Sequence, residues 1–142
     1  MIYILDNLAI GNIHDALEPP PEISALLCVA DDQEIIDAAR VYHKIPVVDM
    51  TSITAPQLHE AVEWIRANIA THRIMVFCRG GVGRSPSVVV GYLCCALDYG
   101  FGEAVEFVAT KKPRISLLPH LITRIAEVKG QFPATPPATT TR

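Results

Sequence analysis

The chain has 142 residues, half of them hydrophobic, with four cysteines and a formal charge of −3. That size fits one domain whose core needs neither disulfides nor metal, and the acidic balance excludes a global basic field that would attract nucleic acid. Cys28, Cys78, Cys94 and Cys95 form no C-x-x-C pair, so neither a structural zinc site nor a secreted disulfide framework is indicated, and free thiols in a reducing cytoplasm are expected. No signal peptide is expected from the opening residues, and the strongest apolar stretch, Val88 to Leu97, is too short to span a bilayer.

Met1 to Leu5 and Leu8 to Ile10 are predicted strands around the turn-forming pair Asp6-Asn7. Ala25 to Ala30 is an apolar run of strand length, expected to be buried on both faces. Asp31-Asp32 are expected to cap a short helix through about Arg40. His43 to Val48 is a further strand containing Pro46, which places it at an edge or ends it early. Thr54, with Pro56 and Gln57, signals a capped helix along which Leu58, Ala61, Val62, Ile65 and Ile69 repeat at helical spacing. Ile74 to Phe77 is a buried strand ending at Cys78. Helices follow from Pro86 to about Asp98, from Glu103 to Lys111 after the breakers Gly100 and Gly102, and from about Leu118 to Lys129. The pattern predicts an α/β domain over residues 1–130, with a mainly parallel sheet of about five strands, and a flexible Pro/Thr-rich tail over 131–142.

The segment from Cys78 to Ser85 carries the chemistry. A cysteine, five residues and an arginine are weak evidence as spacing alone, but here a buried strand precedes them, three glycines lie inside and a helix starts at once. Gly80, Gly81 and Gly83 let the backbone curl, so that N–H groups from Arg79 through Val82 to Gly83 can face inward as an anion-binding nest. The helix adds its positive end, and Arg84 offers a planar fork that fits two phosphate oxygens. The same field favours a thiolate at Cys78. A thiolate nucleophile beside a phosphate cradle points to attack on phosphorus and a phosphocysteine intermediate. Lys111, Lys112 and Arg114 are further cations that can stand near such a site.

This loop resembles the signature loop of the protein tyrosine phosphatases, in particular the small dual-specificity phosphatases. The resemblance extends to Leu8-Ala-Ile-Gly-Asn12, to Tyr42 through Asp49, to Arg84 through Leu93 and to Phe101 through Ile115 with its basic-Pro-Arg segment, and in all to about residues 1–130. It implies that Cys78 is the nucleophile and Arg84 the phosphate clamp. It implies further that Asp49 protonates the leaving oxygen and then serves as base, while Ser85 donates a hydrogen bond to the sulfur. Asp31 and Asp32 are fallback acids. The implied partner is a phosphorylated protein or peptide met by a monomer, with no cofactor and no metal.

Two positions depart from the family pattern. Phe77 stands where a histidine usually precedes the nucleophile, and the stretch Ser116-Leu-Leu-Pro-His120 lacks the asparagine that often braces the loop, leaving Ser116 or His120 as substitutes. In some relatives a second cysteine forms a protective disulfide with the nucleophile, a role open to Cys28, whereas Cys94 and Cys95 belong to an apolar helix and to the core. The alternatives to a protein phosphatase are a phosphate-binding module with weak turnover, a rhodanese-like sulfur transferase, and a phosphatase for a phosphoinositide, nucleotide or RNA 5′ end.

Overall fold

In the computed structural model, which describes residues 1–133, five strands form one sheet. They are β1 (Ile2–Leu5), β2 (Leu8–Gly11), β3 (Ala25–Cys28), β4 (Val41–Lys44) and β5 (Ile74–Phe77). The strand order is β1-β2-β5-β3-β4. β1 and β2 are antiparallel, joined by a turn at Asp6-Asn7, and every other pairing is parallel. The registers Gly11↔Phe77 and Cys28↔Phe77 set the ends of β2 and β3 beside the end of β5. All four residues of β5 are buried, and burial of each such aliphatic or aromatic side chain contributes about 1.5–3 kcal/mol. β4 lies at the sheet edge and stops before Pro46, as expected of a segment that cannot continue a ladder.

Five helices complete the domain: α1 (Ile13–Leu17), α2 (Ala55–Asn68), α3 (Arg84–Leu97), α4 (Phe101–Lys111) and α5 (Leu121–Lys129). α2 starts with the full Thr54/Gln57 capping box, which satisfies two N–H groups that a helix start otherwise leaves orphaned. α3 is buried along its whole length, packing on β2 and β5 and against α2, α4 and α5. α1 is a short helix that periodicity does not reveal, although its capping box, Asn12 with Asp15, is written in the sequence.

The helix expected from Asp31 to Arg40 is absent; the segment is an irregular loop. It has one buried residue, Ile35, while Ile36 is 98% exposed, so there is no apolar stripe to hold a helix against the sheet. Lys44 Nζ instead donates to the Gln33 carbonyl at 2.6 Å, and Arg40 Nε donates to that of Ile23 at 2.6 Å. The later boundaries move by a few residues. α3 starts at Arg84 and not at Pro86, α4 at Phe101 with Gly102 inside it, and α5 at Leu121. Phe132 is buried and stacks on His59 at 4.7 Å, which carries ordered packing two residues past the boundary expected at 130. The tail expected from 131 lies, from residue 134, outside the described residues.

Candidate active site

The loop from Cys78 to Gly83 leaves the carboxyl end of the central strand and runs straight into α3, the position where open α/β sheets bind ligands. Gly81 has φ +71°, and a Cβ built there would stand 3.0 Å from the Gly11 carbonyl oxygen. Only glycine meets both conditions without strain. Gly83 is held closely too, with the Ser116 carbonyl oxygen 3.1 Å from where a Cβ would be. Gly80 has open space and no positive φ, so the curl does not depend on it. Two loop carbonyls are held from outside: Arg79 O accepts the Ile13 N–H at 3.2 Å, and Val82 O accepts the Ser116 N–H at 2.8 Å. Those bonds fix which way the loop's peptide groups turn.

Cys78 is buried, and its Sγ has two neighbours that suit a sulfur anion. The Gly81 N–H donates to it at 3.3 Å, and Ser85 Oγ lies 3.2 Å away in the first turn of α3. Arg84 is 2% exposed. Its Nη1 donates to Asp32 Oδ1 at 2.8 Å, Asp31 Oδ1 at 3.2 Å and the Val47 carbonyl at 3.3 Å. Its Nε is buried with no hydrogen-bond partner. An orphaned cationic donor costs free energy unless a ligand completes it. Burial opposes the Arg84 charge, but the Asp32 hydrogen bond and the charges of Asp32, Cys78 and Asp49 outweigh it and raise the guanidinium above its ordinary value. In return, the Arg84 hydrogen bond holds the Asp32 carboxyl below its usual range.

Asp49 lies beyond β4, 54% exposed, with Oδ1 4.0 Å from Arg84 Nε. The same oxygen accepts the N–H of Met50, a residue held at φ +61°. The structure therefore brings Cys78, Arg84, Ser85 and Asp49 around one loop. Arg79 and Val82 are exposed. Asp31 and Asp32 are not helix caps; they follow β3 and hold Arg84 in place. Their role escapes a reading along the chain because the bond spans some fifty positions, and the Asp31-Asp32 pair at a strand end is its only local sign.

The model of the dual specificity phosphatase catalytic domain matches residues 16–131, which include Asp49, Cys78, Arg84 and Ser85. The chain belongs to that family. It is 29% identical over 100 residues to human dual specificity protein phosphatase 16; the match covers 66% of this chain but only 15% of that protein's length. In fold it is similar to Tk-PTP in its active form, with TM-score 0.78 and 20% identity over 92% of this chain and 96% of the other. Human DUSP28 is similar as well, with TM-score 0.77 and 16% identity over 92% and 96% of the two chains.

Within this dual-specificity phosphatase domain, Phe77 fills the position before Cys78 and is fully buried, so no imidazole reaches the loop from there. In the stretch without the asparagine, main-chain groups make the contacts: the Ser116 N–H donates to the Val82 carbonyl at 2.8 Å, and the Leu118 N–H donates to Ser87 Oγ at 2.9 Å. Exposed His120 starts α5 and makes no side-chain cap bond. Cys28 pairs in register with Phe77 and not with Cys78, and its Sγ faces the carbonyls of Ala30 and Gln33 at 3.7 and 3.6 Å. Burial pushes its thiol up, as it does those of Cys94, to about 11, and Cys95, to about 12; all three suit packing better than reaction. Among the described residues no helix is long and apolar enough to cross a membrane.

Proposed function

We propose that this domain hydrolyses phosphate monoesters on tyrosine, and on serine and threonine, through a phosphocysteine at Cys78. The carrying observation is the setting of Cys78 Sγ, 3.2 Å from Ser85 Oγ and 3.3 Å from the Gly81 amide, in a loop whose arginine keeps a buried, unpartnered Nε. In the first step the thiolate forms an S–P bond as the ester P–O bond breaks, and the Asp49 carboxyl passes its proton to the leaving oxygen. Arg84 and the amides of Arg79, Gly80, Gly81, Val82 and Gly83 bind the phosphoryl oxygens, where charge is greatest in the transition state. In the second step water attacks phosphorus and gives its proton to the Asp49 carboxylate. The S–P bond breaks, and the Ser85 hydroxyl donates to the departing sulfur.

Hydrolysis of a small aryl phosphate in the presence of chelator, compared across the unmodified chain, Cys78→Ser and Asp49→Asn, tests this. Turnover abolished by Cys78→Ser and lowered by Asp49→Asn is expected; turnover that persists in Cys78→Ser rejects the mechanism. Phe77 favours a second reading, a domain that binds phosphate and turns it over slowly. Tight vanadate binding without hydrolysis would select it.

A further inference from the structure

The segment between β4 and α2 carries Asp49 and is fixed by burial only at its ends. Val47 and Ile53 are buried, and the Val47 carbonyl accepts from Arg84 Nη1 at 3.3 Å and from the Asp31 N–H at 3.0 Å. Val48, Asp49, Met50 and Thr51 between them are exposed. Asp49 Oδ1 accepts the N–H of its own neighbour Met50 at 2.9 Å, so the carboxyl turns with the loop main chain. Whatever holds that main chain therefore holds the acid. Thr51 Oγ1 donates to the Val48 carbonyl at 3.1 Å and closes the tip. At the base, the Gln57 side chain reaches both ends. Its Oε1 accepts the Thr54 N–H at 3.2 Å, the capping-box bond of α2, and its Nε2 donates to the Pro46 carbonyl at 3.1 Å. Capping α2 needs only the first bond. The second reaches 11 positions back along the chain and does nothing for the helix.

We propose, on the phosphatase reading above, that Gln57 is a positioning residue for the Asp49 acid: its amide staples Pro46 to Thr54 and keeps the Asp49 carboxyl at the rim of the phosphate loop before substrate arrives. Two features ask for such a staple. Met50 holds φ +61° without being a glycine, a conformation that persists only where the surroundings over-determine it. Pro46 stands past the end of β4, so its carbonyl has no place in the strand ladder. Glutamine also suits the task better than the other capping-box residue. A glutamate accepts from Thr54 equally well, but as a carboxylate it has no proton to offer Pro46.

The experiment uses Gln57→Glu, which keeps the capping bond and loses the donor, beside Gln57→Ala, which adds no charge near Asp49. kcat/KM is measured over aryl phosphates of graded leaving-group pKa for the chain, both variants, Asp49→Asn and Asp49→Asn/Gln57→Glu. In both Gln57 variants it should fall about tenfold for phenyl phosphate but only about twofold for a nitrophenyl ester, whose leaving group departs with little help from an acid. The melting temperature of Gln57→Glu should hold, since its helix cap is intact. Added to Asp49→Asn, Gln57→Glu should cost nothing further, as expected of a residue that acts through Asp49. Equal losses on good and poor leaving groups, or an undiminished loss in the Asp49→Asn background, overturn the role. Hydrogen exchange over residues 46–54 judges the staple without turnover: Gln57→Glu should speed it about tenfold and leave that of β5 as it is. If the chain does not hydrolyse the esters, or Asp49→Asn leaves hydrolysis unchanged, the catalytic reading falls by itself; faster exchange still upholds the staple, and unchanged exchange rejects it.

Discussion

On the β3–β4 flank of the loop, three carboxylates converge on one buried guanidinium, whereas on the β1–β2 flank Lys111, Lys112 and Arg114 share a cleft and, among the described residues, have no acidic partner. The difference separates two uses of charge. Groups that are paired and buried are fixed in direction, which is what a clamp needs before its ligand arrives. Like charges that share a cleft without a carboxylate partner gain nothing from each other, and among the described residues only Lys111 of the three has a contact that offsets its charge, its ammonium lying 5.1 Å from the centre of the Phe107 ring. The loop lies between these environments and carries Cys78 at its base.

Breaking the fixed flank should have the largest effects. Arg84→Lys keeps the charge but loses the fork that serves Asp31 and Asp32 through Nη1 and leaves Nε for the ligand, and aryl phosphate kcat/KM should fall by about 10³-fold. Asp49→Asn should lower kcat by about 10²-fold, more for a poor leaving group than for a good one, in a series of aryl phosphates of graded leaving-group pKa. At the meeting point of the two flanks, Gly81→Ala forces a left-handed residue against the Gly11 carbonyl and should destabilise the fold by about 1–3 kcal/mol in denaturant unfolding. Asp32→Asn should cost about tenfold in kcat/KM, because Asp31 and the Val47 carbonyl still hold Nη1. That variant also has a pH signature. The Asp32 carboxyl is depressed in the folded state, so its contribution to stability is complete above the unfolded value of about 3.9 and is lost as pH falls through the lower folded value. The difference in melting temperature between the chain and Asp32→Asn should therefore be steady near pH 7 and vanish in strong acid.

Much of the architecture is legible along the chain because local signals agree with the fold. The Thr54 capping box, the buried run Ile74–Phe77 and the glycine turn before α3 each state their own structure. The segment from Asp31 to Arg40 shows where this fails. Aspartates followed by Ile35 and Ile36 resemble a capped helix, but the aspartates are claimed by Arg84, the Gln33 carbonyl by Lys44 and the Arg40 side chain by the Ile23 carbonyl, contacts between segments that the sheet brings together. The same holds for the site. Cys78, Ser85 and Arg84 lie within one short segment, so their grouping can be read locally. The brace from Ser116 and the approach of Gly11 to Gly81 depend on main-chain atoms, which carry no residue-specific signal.

The hold of Asp31 and Asp32 on Arg84 Nη1 bears on how the proposed cycle closes. A buried cation stripped of its counter-ion costs on the order of several kcal/mol, so a guanidinium that depended on phosphate alone would resist giving up its product. Here Asp31 and Asp32 pair Nη1 while the cradle is empty, so the departing phosphate gives up only the donor at Nε and leaves the charge itself countered. In the proposed cycle, inorganic phosphate is therefore expected to inhibit only weakly, which its inhibition constant against an aryl phosphate would measure.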